Sequence, residues 1–149
     1  PGLMTEYLNK PEETEAALAG GWMHSGDIAT MDAQGWFYIV DRKKDLINAS
    51  GYKVWPRQVE DCLYDHPAVF EAAVVGVSDP YRGETVKAIV SLRPGCNLTA
   101  KELEAHCREH LAGFKVPKKI IFGELPKTST GKIQKFVLRE KAKSTASFD

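Results

Sequence analysis

The spacing of hydrophobic residues changes several times along the chain and predicts three strands in its second half. Residues 69–77, VFEAAVVGV, form a nearly continuous apolar run, which is typical of a strand covered on both faces. In residues 85–92, apolar residues at the even-numbered positions alternate with mostly polar residues at the odd-numbered positions, as expected of a half-buried strand. A third short strand is predicted at 119–122. Together these segments predict a small mixed three-stranded sheet.

Helical spacing separates and follows these strands. Pro56 can occupy a first helical turn, where its missing N–H costs nothing, and apolar residues follow at helical spacing up to Leu63. Residues 99–102, TAKE, have the spacing of a capping box and predict a helix that runs to about Leu111. A last helix is predicted at 135–143. The fold class is therefore α+β, with the sheet flanked by helices.

The first forty residues predict a separate helix and hairpin. Acidic residues after Pro11 favour a short helix over 11–18. Asp27–Met31 and Trp36–Val40 flank a turn sequence, so we expect a β-hairpin rich in aromatic residues. Because the chain opens on Pro1 and not on Met, we also expect it to be a piece of a longer protein.

A charged run, DRKKD at 41–45, follows the hairpin. It is too charged to bury, so we expect it to be the connector with which the domain at 41–149 begins, directly after residues 1–40. An apolar strand opens at Leu46 and Ile47. Gly51 then lacks the Cβ that would keep a ligand or another backbone at a distance. The sequence therefore offers Gly51 as a contact point.

Composition excludes several classes of function. Twenty basic residues balance twenty acidic ones, so no net field favours nucleic acid or an anionic membrane. Three cysteines without close spacing argue against a disulfide framework and favour a reducing cytoplasm. No apolar run approaches the roughly 20 residues that span a bilayer, although peripheral membrane contact stays open.

A metal site is not expected from the sequence. His106 and His110 share a helix face with Cys107 between them. A third ligand at a suitable spacing is missing, however, and no glutamate follows His106 as a zinc protease would require.

Three motifs occur in one order over almost the whole chain: Ser25-Gly26-Asp27, the run DRKKDLINASGYKVWPRQVE at 41–60, and PKTSTGK at 126–132. They resemble the adenylate-forming enzymes, the superfamily of acyl-CoA synthetases, luciferase and peptide-synthetase adenylation domains. The resemblance implies that residues 1–40 are the tail of the N-terminal adenylation domain and 41–149 the C-terminal lid domain. The phosphate loop and the Mg²⁺ ligands would lie in the missing N-terminal domain.

The same resemblance implies roles for single residues. Lys132 would be the catalytic lysine, since an ammonium group can offset the negative charge that builds up when a carboxylate attacks the α-phosphate of ATP. The loop is not a nucleoside-triphosphate cradle, because Pro126 and Ile133 replace the glycine and hydroxyl residue of that motif. Asp27 would accept hydrogen bonds from the ribose, Arg42 would contact the nucleotide, and Asp41 would be the hinge.

Coenzyme A would pass the backbone at Gly51, with Tyr52 and Lys53 beside it. The implied cofactors are ATP with Mg²⁺ and coenzyme A, and the implied reaction is activation of a carboxylic acid, by preference a fatty acid, and its transfer to the thiol. Adenylation with transfer to a carrier protein, luciferase-like oxidation and a non-catalytic partner-binding module are the alternatives. We expect the isolated chain to be inactive.

Overall fold

The computed structural model describes residues 4–145, and side chains as far as residue 142. The chain divides into two compact units, Pro1–Lys44 and Asp45–Asp149. Each unit is held together by its own hydrogen bonds and packing.

The first unit contains the predicted helix and hairpin. Helix α1 spans Pro11–Ala17, and strands β1 (Asp27–Met31) and β2 (Phe37–Arg42) pair antiparallel with a bulge between Ile28 and Ala29. Aromatic side chains of the hairpin are largely exposed: Trp36, Phe37 and Tyr38. Both predicted elements are therefore confirmed, although β2 runs two residues further than expected.

The second unit is a five-stranded sheet with three helices. Its strands are β3 (Ile47–Ala49), β4 (Tyr52–Val54), β5 (Val69–Asp79), β6 (Gly83–Leu92) and β7 (Lys119–Phe122). Its helices are α2 (Pro56–Tyr64), α3 (Ala100–His110) and α4 (Lys135–Thr145). The sheet order is β4-β3-β6-β5, and β7 runs parallel beside β6 while the other pairs are antiparallel.

The α+β class and the mixed sheet are confirmed, but the expected number of three strands is wrong. The sheet also contains β3, which was predicted as an apolar strand opening at Leu46 and Ile47 but not counted in the sheet, and β4, which was not predicted; each has three residues. An alternating pattern needs about four residues or more to be distinguished from a turn. Their pairing with each other, and that of Ala49 with Gly83, makes them part of the sheet.

Two apolar layers lie on the two faces of this sheet. Because successive residues of a strand face opposite sides, Ala72 and Val74 of β5 join the cluster under α2 and α3, whereas Ala73 and Val75 join the cluster under α4. Leu103 of α3 packs in the cluster under α2 and α3. The unit is thus a helix–sheet–helix sandwich.

The charged run at 41–45 is not a wholly exposed connector, which corrects the expectation from sequence. Asp41 and Arg42 belong to β2, and Asp41 is only 9% exposed. The Arg42 N–H donates to the Asp41 carboxylate at 2.7 Å, and the Lys43 N–H donates to the Gly26 carbonyl at 2.8 Å. Strand pairing therefore holds the first residues of the run, and a 3-10 turn over Lys43–Asp45 follows.

Candidate functional site

Asp27 and Arg42 face each other across the β1–β2 ladder. Arg42 Nε lies 3.3 Å from Asp27 Oδ1, and the Asp27 N–H donates to Ser25 Oγ at 3.2 Å. An ion pair whose arginine is 59% exposed contributes at most about 1 kcal/mol to stability. Both groups are therefore available to a ligand at little energetic cost.

A pocket of about 640 Å³ lies beside this pair, within the first unit. Its lining residues are Tyr7, Ser25, Gly26, Arg42, Lys43 and Lys44. Three of the six are cations, and they follow one another in the chain. The pocket therefore combines positive charge with a neighbouring carboxylate, Asp27, as recognition of an anionic group attached to a diol requires.

Gly51 lies in the tight turn between β3 and β4. Ser50 and Gly51 have φ angles of 55° and 85°, so two successive residues are left-handed, as in a type I′ hairpin turn. A Cβ built on Gly51 would meet no atom within 4 Å. The turn requires a residue that tolerates positive φ, and it leaves the main chain at Gly51 open to an approaching group.

An exposed aromatic pair stands beside this turn. The rings of Tyr52 and Phe114 are stacked with centroids 4.6 Å apart, and Lys115 Nζ lies 5.8 Å from the Phe114 centroid. Phe114 is 37% exposed, whereas Val116 is buried. Lys53, also exposed, lies on the opposite face of β4 from Tyr52.

The loop that carries Lys132 is a closed hairpin. Lys127 and Ile133 form an isolated bridge, the Thr128 N–H donates to the Lys132 carbonyl at 2.8 Å, and the Lys132 N–H donates to Thr128 Oγ1 at 3.1 Å. The Lys132 side chain is exposed. Hydrogen bonds therefore hold the backbone at Lys132, while its amine is exposed to solvent.

Lys132 and the Gly51 turn belong to opposite faces of the sheet. Ile133, next to Lys132, packs with Leu125 in the cluster under α4. Tyr52 shares a face of β4 with Val54, which belongs to the cluster under α2 and α3. Residues adjacent to Lys132 and to Gly51 thus pack on opposite faces of the sheet.

One group of potential metal ligands occurs among residues 4–142. Cys62 Sγ and one ring nitrogen each of His106 and His110 all lie within 4.8 Å of one another. Cys62 was not considered from the sequence, and α2 brings it close to the two histidines from 44 residues before His106.

Comparison with known proteins places these features in a family. Residues 58–132, about half of the chain, match the family model described as the AMP-binding enzyme C-terminal domain. The chain belongs to this family. The match ends on Lys132 and begins after Gly51, so the lysine hairpin lies within it while the Asp27–Arg42 pair and the Gly51 turn lie outside.

Relatives of this AMP-binding enzyme C-terminal domain extend the similarity to nearly the whole chain. It is 54% identical to a long-chain-fatty-acid–CoA ligase of Bacillus subtilis, over 89% of the chain and 24% of the relative. It is 45% identical to a feruloyl-CoA synthase of Amycolatopsis, over 95% of the chain and 29% of that protein. The crystal structure of ATP-bound MatB from Rhodopseudomonas palustris superposes with a TM-score of 0.88 at 35% identity, covering 95% of the chain and 28% of that protein.

The chain thus spans about a quarter of the length of the curated relatives that it matches. Within residues 4–145, no helix has the length and apolar composition needed to cross a bilayer.

Proposed function

We propose that this chain is the C-terminal lid domain, with the tail of the preceding adenylation domain, of an AMP-forming acyl-CoA synthetase that acts on a fatty acid. The observation that carries the proposal is the placement of an exposed lysine and an open glycine turn on opposite faces of one sheet. A two-step reaction needs two such features in turn. The 54% identity to a long-chain-fatty-acid–CoA ligase supports the substrate class.

In the first step a carboxylate oxygen attacks the α-phosphorus of ATP, and the bond to pyrophosphate breaks to leave an acyl-adenylate. Lys132 contacts the carboxylate and the phosphate oxygens and offsets their negative charge, which is greatest in the transition state. The hydrogen-bonded hairpin supports this role because it limits the positions that the amine can reach.

The nucleotide contacts belong to the first unit. Asp27 accepts hydrogen bonds from the ribose hydroxyls, and Arg42 contacts the nucleotide from the cationic pocket. ATP enters with Mg²⁺, whose ligands belong to the N-terminal domain of the full-length protein. Asp41, held in β2 by its bond to the Arg42 amide, marks the start of the hinge, and the backbone torsions change within residues 41–45.

In the second step the thiol of coenzyme A attacks the acyl carbon, and AMP leaves. The open main chain at Gly51 admits the pantetheine arm, and Tyr52 and Lys53 contact the cofactor on either face of β4. Phe114, stacked on Tyr52, enlarges the aromatic surface available to it. The carboxylic acid, ATP, coenzyme A and the N-terminal domain are thus the partners, and the cytoplasm is the compartment.

The test is the substitution Lys132→Ala in the full-length protein. We expect ATP–pyrophosphate exchange to fall by about 100-fold or more, the usual effect of removing one charge-stabilising donor. Thioester formation from supplied acyl-adenylate should change by less than about threefold, since Lys132 serves only the first step.

The matched control is Lys101→Ala, which removes another exposed lysine from the first turn of α3. It should leave both half-reactions unchanged. Equal loss of both half-reactions in Lys132→Ala would contradict the assignment.

A further inference from the structure

We propose that Cys62, His106 and His110 form a binding site for a divalent transition-metal cation of the zinc type, which links α2 to α3. The site is separate from the proposed ligase chemistry. Cys62 lies on α2, and the two histidines lie one turn apart on α3, with ring centroids 4.6 Å from each other. The site exists only because the two helices pack together.

The separation of the ligand atoms is close to what a tetrahedral ion needs. Sulfur and nitrogen ligands at about 2.0–2.3 Å from Zn²⁺ stand roughly 3.5 Å from one another. The three atoms here lie within 4.8 Å. A shift of about 1 Å in the side-chain positions would close the difference, and the exposed His110 side chain has room to move.

The hydrogen bonds of both histidines prepare them to bind a metal. His106 Nε2 lies 2.9 Å from the Cys62 carbonyl oxygen, and His110 Nδ1 lies 2.8 Å from the His106 carbonyl oxygen. A carbonyl can only accept, so each of these nitrogens carries the proton, and the other nitrogen of each ring keeps a lone pair. Metal-binding histidines usually hold the second N–H in this way, often on a backbone carbonyl.

The group of three residues is open on one side. Cys62 is buried, whereas His110 is exposed, so the site opens toward solvent on one side. Burial raises the pKa of the Cys62 thiol, so metal binding has to displace its proton. His66 stands edge-on to His106 at 5.2 Å and adds a further imidazole at the rim.

The three ligand atoms, one sulfur and two imidazole nitrogens, determine which metal ions the site would prefer. Thiolate and imidazole ligands suit Zn²⁺ and Co²⁺, whereas Mg²⁺ prefers oxygen ligands. The site would therefore be distinct from the Mg²⁺ that accompanies ATP, and its occupation should not depend on nucleotide.

The test is titration of the full chain with Co²⁺ followed by its absorption spectrum. We expect one equivalent to bind, with the d–d bands of a tetrahedral ion and a thiolate-to-cobalt charge-transfer band, and Zn²⁺ but not Mg²⁺ to displace it. His110→Gln, which changes an exposed residue and should leave the fold intact, should weaken binding at least about tenfold. Cys62→Ser should remove the charge-transfer band.

Cys96→Ser is the matched control, because Cys96 is the exposed cysteine and belongs to none of these helices. It should bind Co²⁺ as the unaltered chain does. The melting temperature should rise with one equivalent of Zn²⁺ in the unaltered chain and in Cys96→Ser, but not in His110→Gln. Absence of a charge-transfer band, or equal binding by His110→Gln, would overturn the proposal. Neither outcome bears on Lys132, so this proposal and the ligase function fail separately.

Discussion

At the residue scale, Gly51 combines a left-handed backbone with open space around it, and a substitution can separate these two properties. Its φ of 85° restricts the residue types that the turn tolerates, and the open space around it leaves room for a ligand. Asparagine tolerates left-handed backbone better than other residues with a side chain, yet it adds bulk at the same place. Gly51→Asn therefore tests the clearance and largely spares the turn.

We expect Gly51→Asn in the full-length protein to lower the rate of thioester formation from acyl-adenylate by about tenfold or more, because a misplaced thiol reacts slowly. ATP–pyrophosphate exchange should stay within about twofold. Gly95→Asn is the matched control, since Gly95 has a φ of 77° and equally open surroundings. A larger loss in exchange than in thioester formation would show that Gly51 does not face coenzyme A.

The β1–β2 hairpin shows at the element scale how one side chain can hold a turn. Asp32 accepts hydrogen bonds from the Trp36 N–H at 2.9 Å, the Gln34 N–H at 3.0 Å and the Tyr38 hydroxyl at 2.9 Å. The backbone bond from Trp36 contributes most to lowering the pKa of Asp32 below its ordinary value of 3.8, against a smaller opposing effect of desolvation. The ionised carboxylate is thus the form that the hairpin favours.

A carboxyl whose pKa is lower in the folded state stabilises that state above its unfolded pKa, and the contribution is lost as pH falls through the folded value. We therefore expect the amide resonances of Gln34 and Trp36 to titrate together with a midpoint below 3.8. Two-dimensional NMR of the chain between pH 6 and 2 measures this midpoint. A midpoint at or above 3.8 would contradict the hydrogen-bond network.

The elements that the sequence predicted correctly are those with long patterns. The apolar run and the alternating segment became β5 and β6, and the capping box of α3 forms with Thr99 and Glu102 bonded in both directions. Strand β4 was not predicted because three residues carry no period, and β3 was predicted as a strand from Leu46 but without its place in the sheet. The burial of Asp41 was not predicted, because a run of charged residues is normally solvated. In the structure, Asp41 pairs with β1, and the N–H of Arg42 donates to its carboxylate.

At the scale of the whole molecule, the second unit contains one small sheet with two different faces. Its two faces carry separate apolar clusters, with the Lys132 hairpin above one and the Tyr52–Phe114 pair beside the other. Rotation of such a unit would exchange one chemical surface for another without any change in its core. This arrangement is what the proposed two-step reaction requires.

The chain alone should not turn over. It spans 24% of the length of the Bacillus subtilis relative, and we place the phosphate loop and acid pocket in the N-terminal domain. We expect no ATP–pyrophosphate exchange above background from the pure 149-residue chain with any fatty acid, and full exchange from the longer protein. Measurable turnover that Lys132→Ala abolishes in the short chain would disprove this.

Local patterns by themselves determined the helices, the long strands and the three motifs that relate the chain to adenylate-forming enzymes. These depend on residues within about ten positions of one another, so periodicity and turn chemistry are sufficient to identify them. Tertiary structure alone decided which side chains meet. Cys62 joins His106 and His110, Tyr52 stacks on Phe114, and Lys132 lies on the opposite face from Gly51. Such contacts depend on how helices pack across a sheet, and that packing is a sum over the whole core which no short segment encodes.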